Sequence, residues 1–108
     1  MRDASYFLVV RFWIAPGAEP QVSRWLEGGH MAEVVRQPGF LWVRRLKLAE
    51  RDPSGWSAHA MLYGIDSRAA YDTYMANSAL HARFKKEREP FEAKMRIERF
   101  AGEVDYAL

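Results

Sequence analysis

The chain has no cysteine. Disulfides, thiolate metal sites and Cys-His nucleophile pairs are therefore excluded. It has little excess charge of either sign, since 16 Lys and Arg against 14 Asp and Glu leave a formal charge of +2. The basic residues are scattered among acidic ones, so no nucleic-acid partner is expected. Lys85, Lys86 and Arg88 alternate with Glu87 and Glu89, which reads as a solvated helix face. No apolar run approaches the ~20 residues that span a membrane. The N-terminal YFLVV stretch is short and is cut by Arg11, which argues against a signal peptide. A soluble, cytoplasmic protein with no membrane contact is the expectation. Gly-rich phosphate loops, Ser-His-Asp arrangements, repeats and low-complexity segments are also missing.

What is present suits one globular domain over residues 1–108. Apolar residues make up 49% and aromatics 14%, enough for a packed core. Residues 5–14 are rich in β-branched and aromatic types and predict a first strand. A helix is expected from about Ala18 to Gln37, stopped by Pro38-Gly39. Residues 40–50 predict a second strand, residues 51–55 a hairpin turn, and Trp56 to Tyr63 a third strand. Strict alternation in the second strand groups Phe40, Trp42, Arg44, Leu46 and Leu48 on one face, with Leu41, Val43, Arg45 and Lys47 on the other. Ser67 is an N-cap for a second helix, which bends near Asn77-Ser78 and resumes to about Glu89. Pro90 begins a last turn, and a fourth strand runs from about Lys94 to Glu103.

The order β-α-β-β-α-β predicts an α+β, ferredoxin-like fold: a four-stranded antiparallel sheet with both helices on one face. Both faces of the first strand are apolar, Tyr6, Leu8, Val10 and Phe12 against Phe7, Val9 and Trp13. One helix layer covers only one of them. A homodimer packed sheet to sheet is the expected solution.

Three stretches carry a resemblance: APGAEPQVSRWLEGGHMAEVVRQPGF, RRLKL and SRAAYDTYMANSALHARF. In them Trp25 is followed by His30 and then Pro38-Gly39-Phe40, and Tyr74 by Ser78 and His81. The sequence resembles the dimeric α+β barrel superfamily, which includes antibiotic-biosynthesis monooxygenase-like and EthD-like proteins. The resemblance covers nearly the whole chain and implies the fold and the dimer. It leaves the reaction open, because that superfamily holds oxygenases, isomerases, dehydratases and haem proteins. Haem-binding members ligate iron through a second-helix histidine, a place similar to that of His81. Haem-degrading members also use an Asn on the first strand, and this chain has none there. No cofactor and no metal are expected.

The first helix holds the sharpest local feature, Gly28-Gly29-His30. With ~100° per helical residue, Val22, Trp25, Leu26, Gly29 and Val34 form one stripe, with His30 and Glu33 inside it. On this reading Gly29 clears space beside His30, in a mostly apolar pocket suited to a small molecule. His30 is then the catalytic acid–base residue. Glu33 orients it, and Arg44 holds a substrate oxyanion. Trp25, Trp42, Tyr74 and His81 line the substrate site. The structural alternatives stay open: a hydrogen-bonded interior histidine, a Glu33 ion pair with Arg36, Arg44 or Arg45, and core tryptophans. His59 faces either the pocket or the dimer interface. Two functions follow. One is a small cofactor-independent enzyme, of monooxygenase, isomerase or dehydratase type, acting on an aromatic or lactone-like metabolite between helices and sheet. The other is a non-catalytic dimeric module that binds a small molecule or serves in stress.

Overall fold

Strand β1 (Tyr6–Ile14) sits inside a sheet of order β2-β3-β1-β4, with β2 (Phe40–Arg51), β3 (Ser57–Ile65) and β4 (Met95–Glu103). The computed structural model describes residues 3–108. All neighbouring strands are antiparallel. Alternation in β1 works as expected: Leu8, Val10, Phe12 and Ile14 are buried beneath the helices, while Phe7, Val9 and Trp13 are half-buried on the opposite face. The fold is the expected ferredoxin-like α+β arrangement. Among the described residues, no helix is long and apolar enough to cross a membrane.

The first helix is not regular. α1 (Glu19–Trp25) passes into a wider, π-type turn over Leu26–His30 and continues as α2 (Met31–Val35). Gly29 adopts φ 152° and ψ −27° within that turn. The turn resolves a packing conflict. On an uninterrupted α-helix Val34 would lie ~80° around from Leu26, whereas one inserted residue returns it to within ~20°. Both side chains reach the core, each 1% exposed.

The second helical segment divides where the sequence predicts. α3 (Arg68–Ala76) is capped by Ser67, whose hydroxyl accepts from the Ala70 N–H at 3.1 Å. Asn77 ends it and caps α4 (Ser78–Arg88), accepting from the Leu80 N–H at 3.2 Å. A 3-10 turn, Glu89–Lys94, then leads into β4 and buries Phe91. The hairpin turn closes through the Gly55 N–H on the Asp52 carbonyl, 2.8 Å.

Strand β2 departs from simple alternation. Phe40 pairs with Ile65, yet Trp42 pairs with Gly64, so an irregularity at Leu41 shifts the register. A bulge of this kind moves all later side chains to the other face. Phe40 therefore packs under the helices, against Tyr74 at 4.9 Å between ring centroids. Trp42 and Arg44 fall on the far face, where Trp42 meets the Phe7 ring at 5.3 Å. The Arg44 guanidinium lies 5.5 Å from the Trp42 ring centroid.

Candidate functional site

A cavity of about 280 Å³ opens between the helices and the sheet. Its floor is apolar: Leu8 and Val10 from β1, Met61 from β3, and Val34 and Phe84 from the helices. Six polar groups matter for chemistry, namely His30, Tyr63, Tyr74, His81, Arg88 and Arg99, with Lys85 beside them.

His30 comes from the last residue of the π-type turn. Its ring stacks on Trp25 at 4.0 Å and 22°, and meets the Phe84 ring at 4.5 Å in an edge-on geometry. Its buried Nδ1 has no hydrogen-bond partner among the described residues. Burial, and then the charge of Arg88, lower its pKa to about 4, against a smaller upward pull from Glu87 and Glu33. The imidazole is neutral at physiological pH. It is thus able to accept a proton, and any imidazolium it forms needs an anion beside it.

His81 reaches the same cavity from α4. Its Nε2–H donates to the Tyr74 carbonyl at 2.8 Å, leaving Nδ1 as the acceptor. The Phe84 ring has edge-on contacts with both imidazoles. Burial pushes the Tyr74 phenol up to about 12 and raises Tyr63 further. Both phenols stay protonated and can donate. The residues do not fit a haem. Nε2 of His81 is engaged with a carbonyl, which leaves only Nδ1 to ligate iron. At about 280 Å³ the cavity also falls just below the ~300–1,000 Å³ usual for drug-sized ligands. No cluster of three or more metal-ligating side chains occurs among the described residues.

Of the residues expected at the site, His30, Tyr74 and His81 share the cavity wall. Trp25 stands behind His30 rather than in the wall, its indole N–H donating to Glu87 at 3.0 Å. Glu33 does not orient the imidazole, because its carboxylate is held by Arg83 on the neighbouring helix. That pairing also keeps the Glu33 carboxyl below its ordinary range. Trp42 and Arg44 lie across the sheet because of the bulge in β2. His59 is on the helix side, stacked on Phe12 at 5.2 Å and bonded to the Ser57 hydroxyl at 3.1 Å, but it lines a separate cleft with Ser23 and Arg45.

Sequence reasoning missed Arg88 and Arg99. The alternating charges of residues 85–89 suggested a wet face, yet Lys85 and Arg88 lie at the cavity. On α4 these two are one and four residues beyond the buried Phe84, so the i, i+4 spacing was an available signal.

The role assigned to Gly29 also changes. A Cβ at Gly29 would meet nothing within 4 Å, so the glycine does not clear space. What it supplies is the backbone angle, φ 152°, that L side chains rarely adopt. Gly29→Ala is accordingly expected to lower stability by ~1–3 kcal/mol through strain. It should also shift His30 and so change the Trp25 fluorescence. Gly28→Ala, in open space with no such angle, should raise the melting temperature or leave it unchanged. Equal effects of the two changes on melting would remove the conformational role from Gly29.

No protein-family model matches the chain, and no curated protein matches it. Solved structures do. The monooxygenase ActVA-Orf6 of Streptomyces coelicolor, in complex with nanaomycin D, superposes with a TM-score of 0.70 at 16% identity, over 97% of this chain and 91% of that one. SnoaB, a cofactor-independent oxygenase from Streptomyces nogalater, gives 0.64 at 20% identity, over 97% and 98%. A dimeric ferredoxin-like protein from an uncultured marine organism gives 0.64 at 12%, over 95% and 98%. The chain therefore carries the ferredoxin-like α+β fold of these structures.

Proposed function

We propose that the protein is a small cofactor-independent oxygenase acting on a hydroxyaromatic or quinone-like metabolite. The observation that carries this reading is a neutral imidazole, His30, facing an apolar cavity whose other polar groups, apart from Nδ1 of His81, are cationic or hydrogen-bond donors. Such a site favours the anion of an acidic substrate over its neutral form. His30 takes the proton, the aromatic anion stays beside the new imidazolium, and the Tyr74 hydroxyl donates to a ring oxygen. The anion itself then reduces dioxygen. For a ring CH₂ oxidised to C=O, one oxygen atom enters the carbonyl and the other leaves as water, so no external reductant is needed. Two neighbours in fold, ActVA-Orf6 and SnoaB, are oxygenases, and SnoaB is cofactor-independent.

The test is oxygen uptake by chelator-treated protein supplied with 1,8-dihydroxyanthrone. The expected result is one dioxygen per substrate oxidised to the quinone, at a rate well above the uncatalysed reaction. Uptake no faster than background across a set of such acidic hydroxyaromatics would sink the oxygenase reading.

The same reading includes a homodimer. The sheet face away from the helices carries Phe7, Val9, Trp13, Trp42 and Leu62 half-buried, with Leu46 45% and Phe100 53% exposed. An apolar face of this kind favours a partner sheet. Sedimentation is expected to give ~25 kDa at micromolar concentration, twice the chain mass of 12.5 kDa, by closed two-fold pairing. Phe100→Glu should shift that equilibrium toward monomer. A wild-type monomer at micromolar concentration would rule the assembly out.

A further inference from the structure

Two arginines line the cavity with no carboxylate in ion-pair distance of either among the described residues. Arg88 ends α4 and Arg99 lies midway along β4, opposite Val10 of β1. Both line the cavity that holds His30, and both also line a cleft of about 210 Å³ with Glu92, Met95 and Ile97. Arg11, Arg45, Arg83 and Arg96 each hold a carboxylate. No carboxylate lies within ion-pair distance of Arg88 or Arg99 among the described residues. Arg88 is half-buried, and burial, then the charge of Arg99, disfavour its protonated form against a smaller opposite pull from Glu92, Tyr74 and Glu87. Lys85 adds a third cation to the same cavity wall. Two like charges brought together without a partner repel each other, a cost that an oxyanion placed between them reverses.

We infer that Arg88 and Arg99 form a clamp for a carboxylate carried by the substrate, so that the preferred ligands are hydroxyaromatic acids. This rests on the reading of the cavity as the substrate site. The rings lie on Leu8, Val10 and Met61, the acidic hydroxyl faces His30, and the carboxylate sits at the mouth between the two guanidiniums. A planar, two-oxygen group suits the guanidinium fork better than a point anion does. The clamp acts in binding and needs no turnover.

Calorimetric titration of the intact protein with 1-hydroxy-2-naphthoic acid and with 1-naphthol separates the contributions. The acid is expected to bind at least ~10-fold more tightly than the naphthol at low salt, and the preference should shrink as salt is added. Arg88→Gln and Arg99→Gln should each weaken the acid ~10-fold or more while changing naphthol affinity less than ~2-fold. Arg99→Lys, which keeps the charge but not the fork, should fall between, and circular dichroism of each variant verifies its fold. Equal affinity of wild type for the two compounds overturns the clamp while leaving the oxygenase reading intact. Acid binding that survives both glutamine changes also overturns it. Failure of both compounds to bind overturns the clamp together with the reading of the cavity.

Discussion

His30→Gln is expected to reduce turnover by ~10²–10⁴-fold, the usual worth of a positioned acid–base group, while leaving the protein folded. The structure separates this outcome from a stability effect. Nδ1 of His30 is already buried without a partner among the described residues, so replacing the ring strands no hydrogen-bonding group. What is lost at neutral pH is stacking on Trp25 and Phe84, worth about 0.5–1.5 kcal/mol. The pH dependence supplies a second readout. The folded imidazole titrates at about 4 and the unfolded one near ~6.5. Between these values the unfolded chain binds the proton and the folded chain resists it. Stability therefore falls as pH drops from 6.5 toward 4, by ~2–3 kcal/mol for this group. Glutamine cannot be protonated, so the variant should lose less stability than wild type across that window. His59, also lowered by burial, leaves part of the slope in both proteins. Melting curves at pH 7.5, 5.5 and 4.5 check the prediction, and parallel losses in the two proteins would show that His30 is not held neutral by the fold.

Gly39→Ala should have the largest effect on stability. Gly39 has φ 83°, and a Cβ there would fall 2.4 Å from the Ala70 Cβ and 2.7 Å from the Asp66 carboxylate. The position closes three elements at once. It follows the end of the first helix, its carbonyl accepts from the Asp66 N–H at 2.8 Å, and it immediately precedes β2. Neither the backbone angle nor the close approach of α3 can relax without moving another element. A loss of ~3 kcal/mol or more is expected from strain and overlap together. At ~4–8 °C per kcal/mol for a domain of this size, melting should fall by more than about 12 °C. Because Phe40 packs on Tyr74, ligand affinity should fall too. A drop of under ~4 °C would mean that α3 yields easily and that its seat on β2 is loose.

Local rules made the element order legible from residues alone. Strand alternation in β1, the Pro38-Gly39 stop, the Ser67 cap and the break at Asn77 depend on neighbours a few residues apart, and all appear in the structure. The grouping of Tyr74 with His81 was legible for the same reason, and His30 could be singled out because an adjacent Gly-Gly pair inside a helical pattern is costly unless it has a use. The tertiary structure alone decided the remainder. Two errors arose where one residue changes the register of all that follow. The irregularity at Leu41 turned Trp42 and Arg44 to the far face, and the π-type turn at Leu26–His30 changed which groups stand beside the imidazole. A helical wheel or a period-two pattern assumes a constant step, and a single inserted residue breaks it without altering composition. Partner choice was equally hidden, since Glu33 meets Arg83 fifty positions away and Arg99 of the sheet lines the same cavity as Arg88 of α4. Ion pairs and unpaired cations depend on distances between elements, which the order of residues along the chain does not contain.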